Sequence, residues 1–263
     1  MYDGAVILFR PLRLLSLICL ACGVFVVWAS AQQLTVAAAS DLQFAFHDMG
    51  AQFQKQTGIA VRVTYGSSGN FTTQIENGAP FDLFFSADVQ YPQKLIAEGF
   101  AESDSLYRYA DGKLVLWVRN GSKIDLNKGV AVLADPAVRK IAIANPKHAP
   151  YGRAAVAAMK SAGVYEKVKS KLVLGENISQ TAQFAQSGAA DVGLVALSLA
   201  VSPGMRSSGR YFEVPMKDYP AIEQGAAILK QSKQKAAAEK FVEFMKTTAA
   251  KQILEKYGFV VPK

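Results

Sequence analysis

The sequence predicts an α/β protein of two lobes, each a sheet flanked by helices, joined by a hinge of two chain segments. Three observations carry this. Short apolar runs alternate with longer amphipathic ones along residues 34–257, the rhythm of strand–helix–strand units. Two extended apolar stretches, residues 111–120 and 211–229, stand near the middle of the chain and before its last helices, where a chain that crosses between lobes and returns would put them. Two strand candidates run directly into serines that open helices, Leu34-Thr-Val-Ala-Ala-Ala-Ser40-Asp41 and Val61-Arg-Val-Thr-Tyr-Gly-Ser67-Ser68-Gly69. Residues 32–112 with 219–263 then form one lobe and 113–218 the other, with a ligand cleft between them. A single doubly wound domain is the alternative.

Residues 1–31 stand apart from the fold. Arg10 and Arg13 precede an apolar run over residues 14–28 that ends in Ala29-Ser30-Ala31, a small-x-small cleavage signal. This predicts a secretory signal peptide cut after Ala31 and a periplasmic destination. The run is shorter than the roughly 20 residues of a spanning helix, which weighs against a retained anchor. A lipid anchor at Cys22 is the weaker alternative, because Cys19 stands where leucine is usual and the apolar run continues past Cys22. Both cysteines leave with this segment, so the mature chain has no disulfide and no Cys-His metal site. Loss of Asp3, Arg10 and Arg13 takes the formal charge from +8 to near +7. Lysines at 160–171 and 230–240 alternate with alanines as on solvated helix faces, and no basic stripe interleaved with aromatics points to nucleic acid.

Past residue 31, strands are predicted at 34–38, 60–65, 82–86, 114–118, 140–143, 171–174 and 192–196, where β-branched and aliphatic residues cluster between turn signals. Helices are predicted at 41–56, 70–77, 89–98, 151–162, 179–187, 235–247 and 249–257. Gly258 suits a C-cap for the last, and Phe241, Phe244, Met245 and Thr248 form a core stripe at helical spacing.

The helix openings carry the chemistry. A helix N-terminus leaves backbone N–H groups unpaired and carries about half a positive charge, so a serine there adds a hydroxyl donor beside amides that already favour an anion. The second half offers two more: Pro150 at a first-turn position leaves the Tyr151 and Gly152 amides free, and Asn177 or Ser179 is placed to cap the helix that follows. A deprotonated tetrahedral dianion has only acceptors and calls for donors alone, whereas a protonated phosphate gains from a carboxylate. The two candidate carboxylates read otherwise: Asp41 as a first-turn residue with its side chain turned away, Asp88 as a cap for the helix from Val89. Lys147, His148 and Arg153 stand beside the third opening, but neutral donors suffice for a buried oxyanion. Catalysis finds little support. Gly66-Ser-Ser-Gly69 lacks the Gly-x-Ser-x-Gly spacing of a nucleophile elbow, His47 falls inside a predicted helix, and Ser232-Lys-Gln-Lys235 is better read as a helix cap than as a Ser-x-x-Lys site. The chain is expected not to be an enzyme.

Across residues 34–262 the chain resembles the periplasmic molybdate-binding proteins of ABC importers. The motifs are Ala37-Ala-Ala-Ser40; Gly66-Ser-Ser-Gly69; Gln74-Ile-Glu-Asn-Gly-Ala-Pro80-Phe-Asp82-Leu-Phe-Phe-Ser-Ala-Asp88; Asn145-Pro146 through Gly152; Gly175-Glu-Asn-Ile-Ser; and Tyr257-Gly258-Phe259. The resemblance implies a periplasmic-binding-protein fold of the type II kind and a cleft that holds molybdate or tungstate, with no cofactor. It implies a monomeric carrier that delivers the anion to a membrane permease and its ATPase. Carried over by position, the site residues are Ser40, Ser68 and the backbone donors at Tyr151 and Ile178, with Ser67 and Asp41 as secondary candidates. Ser40, Ser68 and Ile178 touch the oxygens of the molybdenum oxyanion, not a bare ion. One position departs: the family's tyrosine hydroxyl falls on Ala196, so that donor is missing. Sulfate or another tetrahedral oxyanion is the alternative ligand.

Overall fold

The apolar run after the leader forms β1 (Gln33–Ala39), buried along most of its length, as expected of a parallel strand with helices over both faces. In this computed structural model the described residues are 1–4 and 33–262. The chain divides into two units at Ser30/Ala31, and the described strands and helices all belong to the second. From residue 5 on, the expected signal peptide, with Cys19, Cys22 and the cleavage signal, lies outside the described residues. Among the described residues no helix is long and apolar enough to cross a membrane.

A 3-10 turn, Ser40–Leu42, leads from β1 into α1 (Gln43–Thr57), which Gly58 stops at φ +73°, a left-handed conformation that glycine adopts without penalty. Then come β2 (Ala60–Gly66), α2 (Ser68–Glu76), β3 (Leu83–Ser86), α3 (Gln90–Ala97) and β4 (Tyr107–Gly112). Beyond Lys113 the chain forms β5 (Leu114–Arg119), a 3-10 segment (Leu126–Ala134), β6 (Ile141–Ala144), α4 (Pro150–Ser161), α5 (Tyr165–Val168) and β7 (Leu172–Gly175). Next are α6 (Ile178–Ser187), β8 (Val192–Ala196), α7 (Leu197–Ala200), α8 (Pro203–Ser208) and β9 (Gly209–Glu213). β10 (Ile222–Ile228), α9 (Lys235–Lys246) and α10 (Thr248–Lys256) complete the described chain.

The strands make two five-stranded sheets of one design, ordered β2-β1-β3-β10-β4 and β7-β6-β8-β5-β9. In the first, β1 is parallel to β2 and β3, and β10 runs antiparallel between β3 and β4. In the second, β6 is parallel to β7 and β8, and β5 runs antiparallel between β8 and β9. Each sheet therefore receives one long strand that follows a crossing of the chain. The core against the first sheet is aromatic: the rings of Phe46, Phe53 and Phe85 meet Phe241 edge-on at 5.0–5.9 Å. The core of the second is mainly aliphatic, built around the fully buried Trp117.

Most of residues 111–120 and 211–229 is strand: β4, β5, β9 and β10 occupy them, and the chain passes between the sheets only at residue 113 and over 214–221. Ladder bonds win there because β5 and β10 are central strands whose apolar side chains are buried, so their backbone groups must pair inside a sheet. Ser232 does not cap α9; its hydroxyl lies 2.7 Å from Asp82 Oδ1 and accepts the Gln234 amide.

Candidate functional site

Strand ends build the site. Residues 39–41 stand at the end of β1, 66–68 at the end of β2, and Ala87 follows β3; Ala149, Pro150 and Tyr151 come after β6, and Ile178 after β7. Together they line one small cavity. Its place at the carboxyl ends of parallel strands, where helices begin, is the general position of ligand crevices in open α/β sheets. All six residues singled out from the sequence, Ser40, Asp41, Ser67, Ser68, Tyr151 and Ile178, are on its wall.

Ser68 is fully buried at the start of α2. Its Oγ accepts the Ala87 amide at 3.0 Å, which leaves the hydroxyl proton to donate. Ser40 is arranged alike, with its Oγ accepting the Ser179 amide at a long 3.4 Å. Ser67 does not follow this pattern: its Oγ hydrogen-bonds His148 Nδ1 at 2.8 Å. Tyr151 stands in the first turn of α4 and Ile178 opens α6, so both backbone amides belong to helix starts, where no carbonyl four residues earlier can take them. Asn177, not Ser179, caps α6, its Oδ1 accepting the Gln180 amide at 2.9 Å; the Ser179 hydroxyl lies 3.1 Å from Gln43 Oε1. A Cβ at Gly152 would lie 2.1 Å from the Ala144 carbonyl oxygen, so only glycine lets α4 begin this close to the end of β6.

Asp41 overturns the expectation of a side chain turned away. It is 1 % exposed and lies on the cavity wall. Its Oδ2 accepts from Gln224 Nε2 at 2.6 Å and from the Tyr151 hydroxyl at 3.0 Å, while Oδ1 has no hydrogen-bond partner among the described residues. Asp41 sits in the short 3-10 turn between β1 and α1, all three residues of which are buried. Burial pushes the carboxyl up to about 6, against the opposing pull of Gln224, Tyr151 and the adjacent backbone. Burial, then the nearby Asp41, also drives the Tyr151 and Tyr109 phenols well above their ordinary value.

No lysine, arginine or histidine is among the lining residues. Lys147 is exposed. Arg153 pairs with Asp88 Oδ2 at 2.5 Å and reaches the Tyr91 hydroxyl at 3.1 Å, while the other Asp88 oxygen accepts the Gln90 amide as expected of a residue that opens α3. These bonds, with the Gly69 amide donating to the His148 carbonyl at 2.9 Å, join segments that hang from different sheets. Ala196 is buried at the end of β8 and does not line the cavity.

Sequence reasoning missed Gln224 and Tyr109. Tyr109 donates to Gln224 Oε1 at 2.7 Å and so turns the amide nitrogen toward Asp41. The available signal was a glutamine inside an otherwise apolar strand, which needs a buried partner. Among the described residues no group of acidic, histidine or cysteine side chains could hold a bare metal ion.

Comparison with known proteins places the chain. The family described as bacterial extracellular solute-binding protein matches residues 34–260. The molybdate-binding protein ModA of Rhodobacter capsulatus is 41% identical over 232 residues, covering 88% of this chain and 90% of that protein. ModA of Azotobacter vinelandii is 40% identical over 242 residues, covering 92% and 95%. The solved structure of the Azotobacter vinelandii periplasmic molybdate-binding protein superposes with a TM-score of 0.82 at 39% identity, covering 88% of this chain and all of the other.

Proposed function

Given that the chain belongs to the bacterial extracellular solute-binding protein family, in the branch of the molybdate-binding protein ModA, we propose that it captures molybdate, and tungstate equally, in the periplasm. The anion then passes to the membrane permease and ATPase of an ABC importer. The observation that carries this reading is the donor set: two buried serine hydroxyls with protons to give and two first-turn amides face one small cavity with no cationic side chain among its described lining residues.

Such a set matches a tetrahedral dianion. Each oxygen is an acceptor only, and donors that need no deprotonation stay donors at every pH of the periplasm. Hydrogen bonds to a charged acceptor are about twice as strong as neutral ones, so neutral donors satisfy the anion. Ser40 and Ser68 come from the half of the chain that builds the first sheet, Tyr151 and Ile178 from the half that builds the second. On this reading residues 32–112 with 219–263 and residues 113–218 move as two lobes about residue 113 and residues 214–221. An anion bound to donors of both lobes favours the closed form, which the permease recognises. The carrier acts as a monomer, without cofactor and without catalysis. The missing tyrosine at Ala196 leaves coordination to the remaining donors.

A second reading has one observation in its favour: a carboxyl on the wall, Asp41, suits an oxyanion that carries its own proton, such as hydrogen phosphate. Calorimetric titration with molybdate, tungstate, sulfate and phosphate separates the two. Tight one-to-one binding of molybdate and tungstate, with sulfate and phosphate far weaker, supports the molybdate reading, and preference for phosphate or sulfate refutes it.

A further inference from the structure

Asp41 is the one feature of the cavity that an oxyanion-binding site does not account for. A carboxylate offers acceptors only, and so does the anion. The Tyr151 hydroxyl has a single proton, which goes to Asp41 Oδ2, and the same hydroxyl lies 3.3 Å from Gln224 Nε2. The glutamine amide is held in place by Tyr109 through its oxygen. Oδ2 is thus held by donors that cannot turn elsewhere, Oδ1 has no hydrogen-bond partner among the described residues, and Asp41 stands on the cavity wall.

Gln224, Tyr151 and the adjacent backbone N–H groups favour the charged carboxylate, but among the described lining residues there is no cation to balance it. Asp41 is faced by Tyr151 from α4 and Tyr109 from β4, with Tyr219 behind Tyr151, and burial raises all three phenols. Gln224 from β10, Ser198 from α7, whose hydroxyl donates to the Asp41 carbonyl at 2.7 Å, and Gln43 and Ser179 beside Ser40 are neutral. The nearest charged or titratable groups at the rim are already engaged, Arg153 with Asp88, and His148 with Ser67 and, at 3.5 Å, Glu176. Two negative charges with no cation between them repel strongly where the residues that hold them are buried.

We infer that this protein takes up one proton with each oxyanion it captures, and that the proton resides on the unpartnered oxygen of Asp41, converting an acceptor on the cavity wall into a donor. The step balances as carboxylate plus oxyanion plus one proton from solvent giving carboxylic acid beside the bound oxyanion. Nothing is oxidised or transferred. Release runs the same step backwards, so loss of the proton favours departure of the anion. This rests on the oxyanion reading above and adds the regulation of that site by pH.

Linkage sets the size of the effect. With the two halves of the chain in contact as here, burial holds the carboxyl at about 6, so below that pH the proton is already present and affinity is nearly level. Above it, affinity falls by up to tenfold for each pH unit. The test is titration of the protein with molybdate, which is itself fully deprotonated at neutral pH, from pH 5.5 to 8.5, using at pH 7.5 two buffers of different ionisation enthalpy. The expected result is uptake approaching one proton per anion at pH 7.5, and an affinity that drops steadily above pH 6. Asp41→Asn is expected to bind with an affinity that no longer changes with pH and to take up no proton.

Molybdate bound by the wild-type protein without proton uptake overturns the inference alone and leaves the binding function standing. Uptake that persists in Asp41→Asn assigns the proton to another group and also overturns it. Absence of molybdate binding refutes the functional reading, and the inference falls with it. The wild-type proton count stands by itself if the variant fails to fold.

Discussion

Replacing Asp41 by asparagine is expected to stabilise the ligand-free protein, and to do so only above a definite pH. The carboxyl is held at about 6 in the folded chain against 3.8 when exposed, so the folded state grips this proton more tightly than the unfolded state does. Folding stability from this group is therefore complete below pH 3.8, declines as pH rises from 3.8 to 6, and stays lost above 6. A shift of that size at about 1.4 kcal/mol per unit amounts to roughly 3 kcal/mol. Asparagine is nearly the same shape, keeps an oxygen for Tyr151 and Gln224, and has no proton to lose. Urea unfolding of ligand-free wild type and variant, at intervals from pH 4 to 8, isolates the effect, because every other carboxylate cancels in the difference. The stability of the variant relative to wild type should rise across this window by about 3 kcal/mol and then level off. A difference that is constant with pH would refute the reasoning, since it would mean that the buried carboxyl titrates normally.

Other outcomes rest on the same geometry. Ser40→Ala and Ser68→Ala each remove a donor to a charged acceptor, worth roughly 1.5–3 kcal/mol, and should weaken molybdate binding on the order of tenfold to a hundredfold by calorimetry. An unchanged affinity in both variants removes these serines from the site. Gly69→Ala places a Cβ 2.8 Å from the His148 carbonyl oxygen, across the cleft, and breaks the Gly69–His148 bond. Affinity should fall about fivefold to tenfold, the equivalent of one hydrogen bond, and full retention would mean that this contact plays no part in closure. Asp88→Asn takes the charge from the half-exposed Arg153 pair, so overall stability should change by less than about 1 kcal/mol while anion release, followed by stopped flow, becomes faster. A release rate equal to that of wild type would exclude the pair from holding the cleft shut.

The serines that open helices were legible because their signal is local: a strand that runs into Ser40 or Ser68 without an intervening loop fixes where the hydroxyl stands. The Tyr151 amide was legible for a similar reason, through Pro150. Strands β4, β9 and β10 were harder, since each is defined by partners far away in sequence: β10 lies between β3 and β4, more than a hundred residues earlier. Asp41 was misread because periodicity does not show which way a residue in a short 3-10 turn between a strand and a helix faces. The Ser67–His148 and Arg153–Asp88 contacts join residues 81 and 65 positions apart, and only the fold brings them together.

The central claim is that the cavity between the two sheets is the molybdate site. Crystals of the protein grown with molybdate, with anomalous diffraction recorded on both sides of the molybdenum absorption edge, test it directly. One strong molybdenum peak is expected within reach of Ser40 Oγ, Ser68 Oγ and the amides of Tyr151 and Ile178, beside the Asp41 carboxyl. A peak at any other place, or a cavity that stays free of molybdenum at saturating molybdate, would contradict it.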